Sequence, residues 1–73
     1  MYSRPRCGLC DEARRTIMAV RERVPFAFAE VDVSGDDALE LEYGVRIPVV
    51  LVDGRELAEI RVDAVELEEA VRG

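Results

Sequence analysis

Histidine is missing from this 73-residue sequence, tryptophan is missing too, and there are only two cysteines, Cys7 and Cys10. Without an imidazole, Ser–His and Cys–His catalysis and histidine metal ligands are excluded. No apolar run approaches the roughly 20 residues that cross a bilayer. MYSRPR at the start is not followed by the apolar core of a signal peptide, so a cytoplasmic location is expected. An excess of positive charge is lacking as well. Ten basic residues against sixteen acidic ones leave a net charge of -6, which argues against nucleic-acid or membrane partners. Repeats, linkers and low-complexity tracts are absent, and the length allows one domain, residues 1–73.

What is present is a high hydrophobic fraction, 49%, in a very small body. Ordering so short a chain needs nearly every Val, Ile, Leu and Phe in the core. Few are left to line a deep pocket, so a small open site on a monomer is expected.

Leu9, Ala13, Ile17, Val20 and Val24 are spaced by four, four, three and four, one face of an α-helix that Pro25 ends. FAFAEVDV, residues 26–33, reads as a strand and stops at the turn signal SGDD. A short helix is expected from about Asp36 to Tyr43, with Gly44 as a left-handed cap. Val49 to Val52 reads as a strand covered on both faces. Asp53-Gly54 predicts a tight hairpin turn, returning antiparallel over Glu56 to Ile60. Asp63, with Glu66 three residues on, predicts the capped start of a helix over Ala64 to Arg72, burying Val65 or Leu67 with Val71. With a short strand at Met1–Arg4, the order is βαβαββα. The two strand–helix–strand crossings predict parallel neighbours, and the hairpin adds an antiparallel edge.

The segment RPRCGLCDEARR holds both cysteines, and three readings compete. A structural disulfide closing so small a loop removes little unfolded-state entropy. A zinc site needs about four sulfur or nitrogen ligands, and the chain supplies two thiolates with carboxylates such as Asp11. A redox dithiol fits the context best. Cys7 stands at the start of the predicted helix, where free N–H groups and the helix dipole favour an anion, and Arg4 and Arg6 add positive charge. Asp11 and Glu12 oppose this. Cys10, nearly one turn further in, is placed deeper as the second, resolving thiol.

RPRCGLCDEARR, VDVSGDD and YGVRIPVVLVDGREL together resemble the small bacterial glutaredoxin-like proteins of the thioredoxin superfamily. The resemblance runs from Tyr2 to the last helix. It implies a thioredoxin-like α/β fold, one four-stranded mixed sheet with helices on both faces; the family's first strand has several apolar residues where only Met1 and Tyr2 precede Ser3 here, so that strand is expected to be unusually short, or the chain to begin later than its relatives, with reduced stability. It implies a cis peptide bond before Pro48, with the backbone of Ile47 facing the cysteines and pairing with an incoming peptide or glutathione. Arg4, Arg6, Gly8 and Leu9 are the other expected substrate contacts, and Arg4 and Arg46 are candidates for a glutathione carboxylate. The Gly-Gly and acidic pair of typical glutaredoxins are replaced by DGRELAEIRVD, where Asp63 is more simply a helix cap. Their Cys-Pro-Tyr-Cys is replaced as well. The expected activity is thiol–disulfide exchange on disulfides of proteins or glutathione, Cys7 attacking and Cys10 resolving. No organic cofactor is required, and glutathione is a possible co-substrate. The alternative is an iron–sulfur cluster carried through Cys7 at a dimer interface.

Overall fold

The computed structural model describes residues 1–72. Seven elements follow in the expected order: β1 (Tyr2–Ser3), α1 (Gly8–Arg23), β2 (Val31–Asp32), α2 (Asp37–Tyr43), β3 (Val49–Val52), β4 (Arg55–Glu59) and α3 (Ala64–Arg72). The strands form one mixed sheet in the order β2-β1-β3-β4. The fold is thioredoxin-like α/β, and the first strand is as short as the sequence implied.

Helix α1 starts at Cys7, whose extended backbone and side chain cap it, and ends at Val24, held extended as the residue before Pro25 must be. Its buried face is Cys10, Ala13, Ile17 and Val20. Leu9 and Val24, expected on that face, are only half-buried, and Cys10 takes the first place in the stripe. Asp63 caps α3 as expected, its carboxylate accepting the Val65 and Glu66 N–H groups at 2.7 and 3.3 Å. Leu67 is the buried residue of this helix, and Val65 is exposed. Ile17, Val20, Val50 and Leu67 make the core between α1, α3 and the sheet.

Alternate strand residues face opposite sides, so Tyr2 points away from the side on which Met1 joins that core. There it meets α2. The Tyr2 and Tyr43 rings stack with centroids 4.1 Å apart and planes 12° from parallel. Helix α2 buries no residue of its own, and this stack joins it to the central strand.

Three expectations are corrected. The strand foreseen over residues 26–33 shrinks to Val31–Asp32, because β1 offers only Tyr2 and Ser3 to pair with it. One crossing, not two, gives parallel neighbours. β1 and β2 are parallel, but β3 lies on the other side of β1 and runs antiparallel to it, Tyr2 facing Val49. Gly44 is right-handed (φ -54°, ψ -32°), so a left-handed cap is not why glycine stands there. A Cβ at that position would collide with the Glu40 carbonyl oxygen and approach Arg4 Nη2 to 3.1 Å. The hairpin turn is as foreseen: Asp53 and Gly54 both have positive φ, 51° and 82°, as a type I′ turn requires.

Candidate active site

The loop after β1 carries Arg4 to Cys7, and the chain leading into β3 carries Ile47 and Pro48. Because β1 and β3 are antiparallel with Tyr2 opposite Val49, these two segments lie at the same end of the sheet. The end of β4 reaches it too, as the Ile60 N–H donates to the Pro48 carbonyl at 2.7 Å.

Cys7 is half-buried at the head of α1, and Cys10 is fully buried one turn below. Both are free thiols. The Cys10 backbone N–H donates to Cys7 Sγ at 3.1 Å. Burial, first, and a hydrogen bond to the Cys7 sulfur, second, push the Cys10 thiol up from an ordinary 9 to about 11. The two sulfurs are therefore unequal. One is reachable and receives hydrogen bonds at a helix N-terminus; the other keeps its proton at neutral pH. In a mixed disulfide formed at Cys7, release by Cys10 is expected to accelerate about tenfold per pH unit between 7 and 9, as the thiolate fraction does. Followed by stopped flow up to pH 10, release would instead level off near pH 9 if Cys10 were an ordinary thiol.

The remaining sequence candidates are distributed around this pair. Arg6 and Gly8 are exposed, and Leu9 is half-buried. Arg6 holds φ 57°, a left-handed backbone uncommon for a side chain of its size. The Ile47–Pro48 peptide bond is cis, Pro48 is buried, and Ile47 is half-buried. Among the described residues Ile47 makes no backbone hydrogen bond. Arg4 is turned toward α2: its Nη2 donates to Glu40 Oε1 and to the Gly44 carbonyl, both at 2.8 Å. Arg46 is fully engaged. It donates to Glu56 and Glu59 at 3.0–3.1 Å and to the Glu42 carbonyl, and lies 5.3 Å over the Tyr43 ring. Its fork is occupied by these acids.

Sequence reasoning missed two features at this end. Ile60 holds φ 70°, in a turn closed by the Arg61 N–H donating to the Glu59 carbonyl at 2.7 Å; glycine is the residue that region favours. Glu30 is the second. Its carboxylate accepts a forked pair of bonds from Arg14 of α1 and a third from Ser3 of β1 at 2.7 Å, tying the helix to the strand just before the cysteine loop. These partners, Arg14 foremost, hold Glu30 near 2 rather than 4.5. A carboxyl depressed on folding stabilises the protein above its unfolded value, and that contribution fades as pH falls from about 4.5 toward 2. Allowing for partial exposure, it amounts to about 1–2 kcal/mol. Glu30→Gln is therefore expected to lower the urea midpoint at pH 7 and to narrow the difference between pH 7 and pH 3. An unchanged midpoint would show the tie to be inert.

No helix of the described residues is long and apolar enough to cross a membrane. Comparison with known proteins agrees with this geometry. The profile of the family described as Glutaredoxin-like domain (DUF836) matches residues 1–72. Uncharacterized proteins of Mycobacterium tuberculosis and Mycobacterium bovis are 31% identical over 68 residues, covering 86% of this chain and 70% of theirs. The X-ray structure of structural-genomics target XcR50 from X. campestris superposes with a TM-score of 0.80 at 39% identity, covering 93% of this chain and 87% of that one.

Proposed function

Because the chain belongs to the glutaredoxin-like domain family, we propose that it is a thiol–disulfide oxidoreductase acting through Cys7 and Cys10. The observation that carries this is the asymmetry of the pair. A reachable sulfur caps a helix and accepts the N–H of a fully buried cysteine one turn below.

Cys7 thiolate attacks one sulfur of a substrate disulfide, forms the mixed disulfide, and the other substrate sulfur leaves as a thiolate that takes a proton from water. Cys10 then loses its proton and attacks the Cys7 sulfur. The second substrate thiol departs and the Cys7–Cys10 disulfide remains. Two electrons have passed to the substrate, and an external thiol such as glutathione returns them. No organic cofactor takes part.

Ile47, with its free backbone groups and half-buried side chain beside cis-Pro48, would pair with an extended substrate segment, while exposed Arg6 and Gly8 and half-buried Leu9 flank the attacking sulfur. Arg46 is occupied by acids, and Asp63 is occupied as a helix cap. Both observations favour a disulfide in a protein over glutathione itself as the substrate that is recognised.

Equilibration with glutathione buffers tests the reading. A Cys7–Cys10 disulfide should form with a midpoint in the roughly -270 to -200 mV range of thioredoxins and glutaredoxins, with glutathionylated Cys7 as the transient adduct by mass spectrometry. A pair that stays reduced across that range would refute it, and a brown dimeric product of anaerobic purification would favour cluster transport through Cys7 instead.

A further inference from the structure

Helix α2 holds apolar side chains outside a core that has few to spare. Leu41 is 89% and Val45 93% exposed, the two most exposed large hydrophobics among the described residues. Gly44 is right-handed and its N–H donates to the Glu40 carbonyl at 2.8 Å, which carries the helical turn on toward Val45. Ala38, Leu41 and Val45, three and four positions apart, therefore share one outward row, and all three are exposed. Leu39, Tyr43 and Arg46, on the opposite side, are half-buried.

The row leads toward the cysteines. Arg4, in the loop before Cys7, donates to the Gly44 carbonyl at 2.8 Å, so the last turn of α2 lies against that loop. Val45 stands just two residues before Ile47, a backbone reach of about 7 Å at most. The border of the row is acidic. Among the described residues Asp37 makes no ion pair, and Glu42 comes only within 3.8 Å of Arg46, which Glu56 and Glu59 hold more closely. Arg4, the other cation beside this helix, is closed on Glu40.

We propose that this row is the docking face for protein substrates of the Cys7–Cys10 pair. It takes a segment that carries apolar side chains next to Lys or Arg, close to the disulfide. The proposal rests on the exchange chemistry given above and adds the kind of partner. Charge selects that occupant, since a second copy of this chain would set Asp37 and Glu42 against their own kind. Three side chains also fall far short of the roughly 800 Å² per partner of a stable dimer, whereas transient redox encounters are small.

Acetyl-Lys-Leu-Gly-Cys-Gly-Leu-Lys-amide, as its symmetrical disulfide, tests this beside cystine and a version with Glu for each Lys. The reduced protein is mixed with each disulfide, quenched with N-ethylmaleimide and weighed intact, so no other reductant is present. The lysine peptide should oxidise the protein about tenfold faster than the glutamate peptide at low ionic strength, and about 0.5 M salt should remove most of that difference. Leu41→Ser combined with Val45→Ser should slow the lysine peptide about tenfold by raising its half-saturating concentration, with cystine unaffected. Glu42→Lys should shrink the preference for lysine. The docking face is overturned if the double variant reacts with the lysine peptide as the parent does, or if cystine slows equally. It is overturned too if the two peptides react alike, or if the parent is a dimer that the double variant dissociates. A parent that even cystine leaves reduced would instead refute exchange at Cys7 and Cys10, and the docking face with it.

Discussion

Cys7→Ser is expected to remove dithiol exchange at neutral pH, by about a hundredfold or more, because the other sulfur has no means of substituting for it. Cys10 is fully buried, and with its thiol pushed up to about 11 only about one molecule in ten thousand carries the thiolate at pH 7. The greater intrinsic reactivity of a high-pKa thiolate recovers about one order of magnitude of that, and burial takes more away. Cys10→Ser should do the opposite at the first step. Attack by Cys7 persists, nothing resolves the adduct, and a stoichiometric mixed disulfide accumulates. Turnover with a small disulfide such as cystine, read beside intact-protein mass, separates the two variants. Activity of Cys7→Ser within tenfold of the parent would reverse the assignment of roles.

The second large effect is on stability. Ile17 is 1% exposed, and with Val20, Val50 and Leu67 it forms the buried apolar cluster between α1, α3 and the sheet. Truncating such a side chain removes transfer free energy and leaves a cavity, at a cost of about 2–5 kcal/mol. A domain this small has about 3–5 kcal/mol in total. Ile17→Ala should therefore be largely unfolded at 25 °C, with a far-UV dichroism signal that urea barely changes. Leu41, 89% exposed on α2, supplies the contrast: Leu41→Ala should shift the urea midpoint by less than about 0.5 kcal/mol equivalent. Comparable losses at the two positions would contradict the core described here.

The features legible in the sequence are those that short segments decide by themselves. The Asp53-Gly54 turn, the Asp63 cap and the end of α1 at Pro25 depend on a few neighbouring residues, and each lies where the pattern put it. So does the deeper placement of Cys10, which follows from its three-residue spacing to buried Ala13. Where a partner distant in sequence decides, the sequence misled. Residues 26–30 have the composition of a strand but no second strand beside them, and strand length belongs to the pair rather than to either member. Arg46 reads as an open cation until the hairpin brings Glu56 and Glu59 to it. Glu30 carries no local sign of its task, since Arg14 and Ser3 lie 16 and 27 positions away. The reason for glycine at position 44, a close backbone approach, is likewise invisible without coordinates.

The stacked rings beneath the cysteine end have an optical consequence. The chain contains no indole and only two phenols, Tyr2 and Tyr43, and these two face one another at 4.1 Å. Near-ultraviolet signals of this protein therefore report almost wholly on a single joint, the seat of the second helix upon the central strand. A loosening of that joint would register as a spectral change while the amide bands stay still, so departure of one helix can be watched without attaching any dye.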